Sequence, residues 1–326
     1  MARAGTQNCL KKLSTTRVAM QVLAPTSGAR PARASHTHAS AASLASSAAS
    51  SREAGLVDLL RTTFGHRHFR PGQLAVVESV LDGRDAFVLW ATGVGKSLCY
   101  QLPVLWWNHA HPQRRKVTVV VSPLVSLMND QILRLRSLGV DDCTFLGPSN
   151  PEGKAAEARA FRGEYAVLYI TPEKLQGWRG GIAELHKQGK LMSFAVDESH
   201  CMSEWGHDFR PEFMQLDCLR RLYPGVPIVA LTATATADVA REISSKLGLR
   251  SPHVSRTSFN RRNLFYRAIL KRGAGIKEDL PRALRDHPLL RDGGSAIVYC
   301  FSQAETETAA RCLAQDTGLS VAACKG

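Results

Sequence analysis

The chain has 326 residues, 44% of them apolar and 21% charged, with a net charge of +14. That composition belongs to a globular protein of about two domains and excludes a collagen, a coiled coil and a disordered polyelectrolyte. No run approaches the roughly 18–20 uninterrupted apolar residues of a membrane span, so no membrane partner is expected, whereas the basic balance favours a polyanion such as nucleic acid.

Residues 1–52 carry seven basic side chains and no acidic one, half of the net charge. Positions 26–51 are mostly Ala and Ser with scattered Arg. Such a segment buries too little apolar surface to offset its ordering entropy, so 1–52 reads as a disordered basic tail. The same acid-free Arg/Ser/Ala composition suits an organellar transit peptide. The eight cysteines show no CxxC and no paired Cys/His spacing, and a zinc site is unsupported.

From 53 onward the pattern is periodic. Leu56–Phe64 has helical spacing and stops at Gly65; a second helix is expected from Pro71 to Gly83, with Pro in its first turn and Gly behind its end. Five short apolar runs follow: Ala86–Trp90, Val117–Val121, Val167–Ile170, Phe194–Val196 and Ile228–Leu231. Helical spacing lies between them, as in Leu124–Leu138 and Asp238–Leu247. Unalternated Val/Ile/Leu runs separated by helices predict an α/β fold with a mostly parallel sheet covered by helices on both faces.

Small, polar or charged residues follow every run. They are Ala91 to Ser97, then Ser122-Pro123-Leu124, Thr171-Pro172-Glu173, Asp197-Glu198-Ser199-His200 and Thr232-Ala233-Thr234. In an open parallel sheet the carboxyl ends of the strands share one edge, where ligands bind. Five segments far apart in sequence are therefore expected at one cleft.

Two of them carry recognisable chemistry. Thr92-Gly93-Val94-Gly95-Lys96-Ser97 follows a strand and opens a helix, so its backbone N–H groups can converge on phosphate oxygens. Lys96 would reach the β/γ-phosphates and the Ser97 hydroxyl would ligate Mg²⁺. Trp90 stands where the usual phosphate-loop pattern begins with Gly. Taken alone the segment could also be a Gly-rich turn with a solvated Lys. Asp197 at a strand end can hold Mg²⁺ opposite Ser97, and Glu198 beside it can orient or deprotonate a water. Two acids in the same strand-end pattern could equally be solvated.

Here the chain resembles the RecQ family of superfamily 2 DNA helicases, in its Werner-type flavour, over roughly 56–326. Phe64-Gly65 with Phe69-Arg70-Pro71-Gly72-Gln73 is similar to the adenine-reading motif, and ATGVGKSLCYQLP (91–103) to the phosphate loop. SPLVSLMNDQ (122–131) resembles the first DNA-contacting motif, and DESHCMSEWGHDFRPEF (197–213) the metal-binding box with its aromatic-rich loop. LTATAT (231–236) resembles the coupling motif; FNRRNL (259–264) and IVYCFS (297–302) resemble the start of a second RecA-like domain.

The resemblance implies a RecA-like P-loop domain over 53–255 and part of a second RecA-like domain over 256–326. It implies that Arg70 and Gln73 hydrogen-bond adenine and that Thr92 to Ser97 hold the triphosphate. Lys96, Asp197, Glu198 and His200 would be catalytic, with Ser97 and Asp197 at the magnesium. Ser122, Pro123, Asp130, Gln131, Thr171, Pro172, Glu173, Thr232 and Thr234 would contact or couple to DNA. Trp205, His207, Phe209 and Arg210 would form the loop that senses single-stranded DNA, a composition suited to stacking and phosphate pairing without sequence preference. Without the family, Gln73 would read as a helix-surface amide. Val94 stands where the family usually has Gly, and Val tolerates positive φ poorly, so a negative φ is expected there. His66, Ser199 and Arg262 stand where Tyr, Ala and Pro are usual.

The function implied is an ATP-dependent DNA helicase, moving 3′ to 5′ on single strands and unwinding duplexes in recombination, repair and replication. ATP and Mg²⁺ would be its cofactors, single-stranded and forked DNA its partners, and the nucleus its location. The N-terminal composition leaves chloroplast or mitochondrion as the alternative. Ser302-Gln303-Ala304-Glu305 reads as a capping box, opening a helix that closes near Gly318, with a strand from Leu319. The arginines of the family's later motifs have no counterpart here, so a fragment or an incomplete gene model is expected. The second functional reading is accordingly an ATP- and DNA-binding module with little turnover.

Overall fold

The computed structural model of the chain describes residues 41–204, 209–258, 264–265, 276–285 and 294–324. It divides into two compact units, one over 34–259 and one that includes 260–326.

In the larger unit seven strands form one sheet in the order β3-β4-β2-β5-β6-β1-β7, and every pair is parallel. They are β1 (Ala86–Leu89), β2 (Val117–Val121), β3 (Cys143–Leu146), β4 (Val167–Ile170), β5 (Leu191–Val196), β6 (Ile228–Thr232) and β7 (His253–Arg256). The first six are buried along their whole length, as a sheet covered on both faces requires. Alternate residues of each strand face opposite layers. Phe87, Leu89, Val119, Val121, Phe194, Val196, Ile228 and Ala230 pack on one side. Ala86, Val88, Val120, Ala195, Val229 and Leu231 pack on the other.

The helices are α1 (Ala41–Thr62), α2 (Gln73–Leu81), α3 (Leu98–Ala110), α4 (Val125–Ser137), α5 (Gly153–Phe161), α6 (Pro172–Gly177), α7 (Arg179–Lys187), α8 (Asp217–Leu222) and α9 (Ala237–Lys246). Val76 and Val80 of α2, Tyr100 and Val104 of α3, and Met128, Ile132 and Leu135 of α4 cover the second face. Leu175, Ile182, Leu185, Leu219 and Ile243, from α6 to α9, cover the first.

The five expected strands are present, β5 beginning earlier than expected at Leu191. β3 and β7 were not anticipated. β7 is an edge strand with only Ser255 buried, so it lacks the apolar run that marks the interior strands. The expected disorder of 1–52 is corrected for 41–52, which forms the first turns of α1. Alanine has the highest helix propensity and extends a helix once nucleated. The nucleus is the segment whose Leu56 and Leu60 are fully buried against Val77, Leu98 and Leu102. Arg52 also pairs with Asp82 at 2.7 Å. Residues 1–40 lie outside the described residues.

At the amino ends of the strands, Asp85 is nearly buried. Its carboxylate accepts from Arg220 Nη2 at 2.5 and 2.6 Å and from the backbone N–H groups of Ile228 (2.8 Å) and Arg250 (2.7 Å). One side chain thus ties the starts of β1, β6 and β7 together.

The smaller unit packs Leu280 and Leu284 of α10 (Ile276–Arg285) on Ala309 and Leu313 of α11 (Gln303–Thr317), with Val298, Cys300 and Val321 alongside. The expected cap forms, with Glu305 reaching back to the N–H one residue before Ser302. Ser302 Oγ accepts from Glu305 N at 3.1 Å, Glu305 Oε2 accepts from Phe301 N at 2.8 Å, and Gly318 ends the helix at φ 68°. Neither 297–301 nor 319–324 is a strand. Side chains alternate over 297–301, with Ile297, Tyr299 and Phe301 exposed. A strand, however, needs a neighbour for its backbone groups, and the described residues of this unit offer none.

Candidate active site

Strand order sorts the expected site residues. β5, β6 and β1 are adjacent, and their carboxyl ends carry the Asp197-Glu198 pair, Thr232 and the 91–97 loop. β4 and β2 lie on the other side of β5 and carry Thr171-Pro172 and Ser122-Pro123. The segment after β5 stands on the border between a nucleotide-type half and a half expected to meet DNA.

The loop has positive φ at Gly93 (82°) and Gly95 (92°), whereas Val94 keeps a negative φ, as expected of a residue with a branched side chain. A Cβ at Gly95 would sit 2.7 Å from Gln73 Nε2, so that glycine is needed for close approach as well as for φ. Lys96 Nζ donates to Trp90 O at 3.2 Å, and its charge reaches both Asp197 and Glu198. Sequence positions a hundred apart thus lie within electrostatic reach of one ammonium.

Gln73 is buried at the start of α2, not on a helix surface. Its Nε2 donates to Gly95 O at 3.1 Å and its Oε1 accepts from Arg70 N at 2.7 Å. Arg70 Nη1 donates to Gly93 O at 2.6 Å. Both side chains therefore brace the loop's carbonyls. Gly72 makes the approach possible: at φ 84° it brings α2 against Trp90 and Ser255. Trp90 itself is buried and donates from Nε1 to Ser255 Oγ at 3.1 Å, so the Trp at the first loop position locks β1 to β7.

Asp197 extends β5, its N–H donating to Val121 O at 2.9 Å, and its Oδ1 accepts from Glu198 N at 3.0 Å. Burial, and then the Glu198 charge, push its carboxyl up to about 6. Glu198 is held below the ordinary carboxylate range, first by its hydrogen bond to His200. His200 Nδ1 lies 3.2 Å from Glu198 Oε2 and 3.0 Å from Thr232 Oγ1, which also accepts from Thr234 N at 3.1 Å. Ser199 Oγ donates to Leu231 O at 3.1 Å. Glu198 has φ 48°, a left-handed conformation unusual for a side chain with a Cβ. Such strain, of order 1–3 kcal/mol, clusters at functional sites.

A buried carboxylate with a raised pKa at a strand end, within electrostatic reach of Lys96, is a hard-oxygen donor short of positive charge. Such a donor suits Mg²⁺, which Asp197 and Ser97 would hold and which would supply the charge that neutralises phosphate oxygens. Among the described residues no three side chains of His, Cys, Asp or Glu gather as a metal cage. A magnesium carried by a nucleotide requires none.

On the other half, Ser122 N donates to Ile170 O at 3.0 Å, tying the ends of β2 and β4. Arg210 Nη1 donates to Pro123 O at 2.9 Å and so joins the segment after β5 to the end of β2. Thr171 caps α6 through Lys174 N at 3.2 Å, and Glu173, Asp130 and Thr234 are exposed. Phe209 is 38% exposed beside Arg210. Trp205 and His207 lie outside the described residues. Gln131 is half-buried and accepts from Gln101 Nε2 at 3.2 Å, a partner the sequence reading passed over. The signal was a lone amide inside the apolar run Leu98–Leu105.

The DEAD/DEAH box helicase family model matches residues 70–243, the stretch that holds this loop, the acidic pair and the histidine–threonine link. The chain belongs to the DEAD/DEAH box helicase family. Within it, the resemblance is to RecQ-type helicases. The ATP-dependent DNA helicase RecQ of Haemophilus influenzae is 38% identical over 269 residues, 82% of this chain and 41% of that protein. RecQ-like DNA helicase blm-1 of Caenorhabditis elegans is 40% identical over 262 residues, 78% of this chain and 25% of that protein. The bifunctional 3′-5′ exonuclease/ATP-dependent helicase WRN of Mus musculus is 38% identical over 253 residues, 77% of this chain and 17% of that protein. The chain thus spans about two fifths of that RecQ protein's length and less of the other two. Among solved structures, DUF1998 helicase MrfA bound to DNA superposes with a TM-score of 0.58 over 81% of this helicase chain and 38% of the other, at 16% identity, a likeness of fold. No helix among the described residues is long and apolar enough to cross a membrane.

Proposed function

We propose that the chain is the nucleotide-binding part of an ATP-dependent DNA helicase that moves 3′ to 5′ on single-stranded DNA and serves recombination, repair and replication. The observation that carries the reading is that the Lys96 charge reaches both Asp197 and Glu198 across the ends of β1 and β5, with His200 within hydrogen-bond distance of Glu198 and of Thr232. Magnesium, when bound, neutralises phosphate oxygens. The chain's own part is to hold and orient. Loop N–H groups and Lys96 grip the β/γ-phosphates. Glu198, kept ionised by His200, accepts a hydrogen bond from the attacking water and aligns it. His200 passes any shift of Glu198 to Thr232 and Thr234, next to the segment leading to Phe209 and Arg210. Aromatic and arginine side chains there suit unpaired bases and phosphates. The DNA named for several of its relatives supports a DNA substrate; forked DNA as its form and the nucleus as the compartment belong to the proposal.

The test is nucleotide affinity. Lys96→Ala removes a charge-assisted contact of about 1.5–3 kcal/mol and should weaken ATP binding roughly 10–100-fold with an unchanged circular dichroism spectrum. Unchanged affinity would remove the phosphate-loop assignment. Turnover that stays flat when single-stranded DNA is added, with ATP binding intact, supports the second reading of an ATP- and DNA-binding module.

A further inference from the structure

We propose that Gln101 is the joint through which the nucleotide loop positions the two segments expected to meet DNA, an inference that rests on the helicase reading above. Gln101 lies one turn into α3, its N–H donating to Ser97 O at 3.1 Å, so any displacement of the phosphate-binding turn is carried to it. Its side chain is buried. A single amide nitrogen donates in two directions, to Tyr169 Oη at 2.9 Å and to Gln131 Oε1 at 3.2 Å. Tyr169 is on β4, two residues before Thr171-Pro172. Gln131 is on α4, the helix that follows Ser122-Pro123-Leu124. The node thus links α3 to both segments of the DNA-facing half.

The surroundings are apolar: Tyr169, Val104, Val120, Met128 and Ile132 share one packed cluster. A leucine at 101 would fill that space without needing partners, whereas a buried amide costs about 1–3 kcal/mol if left unpaired. What glutamine adds is direction. Its two bonds fix α4 and β4 relative to α3, and a network with defined partners can hold alternative arrangements that liquid-like packing cannot. Tyr100, next in sequence and fully buried, packs edge-on to Tyr169 with ring centroids 6.3 Å apart. It lies near enough to feel both Ser97 and Asp197, so the same cluster reaches the floor of the nucleotide site.

The experiment measures affinity for a fluorescent oligothymidine with and without a non-hydrolysable ATP analogue, in wild type, Gln101→Leu and Tyr169→Phe. The ratio of the two affinities is the coupling between sites, typically about 5–150-fold in coupled proteins. Wild type should show coupling. Gln101→Leu should bring the ratio to within about twofold of one while each ligand alone binds within about threefold of wild type. Tyr169→Phe, which keeps the ring and loses one acceptor, should fall between. A purely structural role would lower the melting temperature and leave the ratio untouched. A ratio preserved in both variants overturns the proposal, as does a wild type that binds both ligands without coupling. A wild type that binds neither overturns the helicase reading, and this proposal with it. Should Gln101→Leu fail to fold, Tyr169→Phe decides alone.

Discussion

Asp197 and Glu198 are neighbours in sequence with opposite electrostatics. Burial raises the first, and a hydrogen bond from His200 lowers the second. The signs have different consequences for stability. A carboxyl with a folded pKa near 6 against an unfolded one near 4 binds its proton more tightly when folded, so stability is lost as pH rises between the two values. In metal- and nucleotide-free protein at pH 8, the ionised, buried Asp197 is therefore a liability of about 1–3 kcal/mol. Asp197→Asn should raise the melting temperature at pH 8 and make little difference at pH 4, while abolishing magnesium-dependent ATP turnover. A variant that melts lower than wild type at pH 8 would mean the carboxylate is stabilised by more than the Glu198 N–H and the charges of Lys96 and His200. Glu198 works the other way: its ionised form is favoured in the fold, ready to accept a hydrogen bond at neutral pH.

Elements set where those side chains stand, and one glycine shows how closely. Gly72, at φ 84°, begins α2, and a Cβ there would lie 2.6 Å from Ser255 Oγ and 3.1 Å from the Trp90 ring. Gly72→Ala should cost roughly 1–3 kcal/mol of stability and also weaken nucleotide binding, because Arg70 and Gln73 brace Gly93 O and Gly95 O from either side of it. Chemical denaturation and ATP titration of the same variant check both halves; loss of stability with unaltered affinity would separate α2 from the loop. The sequence made most of this frame legible. Interior strands announce themselves because both faces are buried, and the loop, the acidic pair and the cap at Ser302 follow local rules. β3 and β7 were hidden because neither bears an unbroken aliphatic run: β3 contains Cys143 and Thr144, and β7 alternates His, Val, Ser and Arg. The helical reach of Ala41–Arg52 was hidden because its composition says nothing of the anchor at Leu56 and Leu60. Gln73 and Gln101 were legible as residues but not as partners, since each bonds across more than twenty positions.

Across the whole larger unit, charge is arranged by edge. At the carboxyl ends of the strands the buried carboxylate is under-compensated and Glu198 is strained, as a site reserved for ligands is expected to be. At the amino ends the buried charges are saturated. Arg220 gives Nη2 to both Asp85 oxygens, Nε to Gly248 O at 3.1 Å, and Nη1 to Pro224 O and Val226 O at 3.1 and 3.2 Å. Asp85 in turn holds β1, β6 and β7, the first two of which end in the phosphate loop and Thr232. Removing Arg220 leaves a buried carboxylate without its counter-charge and takes the side-chain donor from Gly248 O and Val226 O, while Pro224 O keeps Arg250 Nη1 at 3.0 Å, a loss of about 3–5 kcal/mol. For a unit of this size that corresponds to a fall of roughly 10 °C in melting temperature. Arg220→Met should show that fall and yet bind ATP normally well below its melting point, because the lesion lies a full strand length from Lys96. A melting temperature within 2 °C of wild type would mean that water replaces the guanidinium, making Asp85 a solvated cap instead of a clamp. Weakened ATP binding at low temperature would instead mean that the two edges move as one body, and that strand register set at Asp85 is felt at the nucleotide loop.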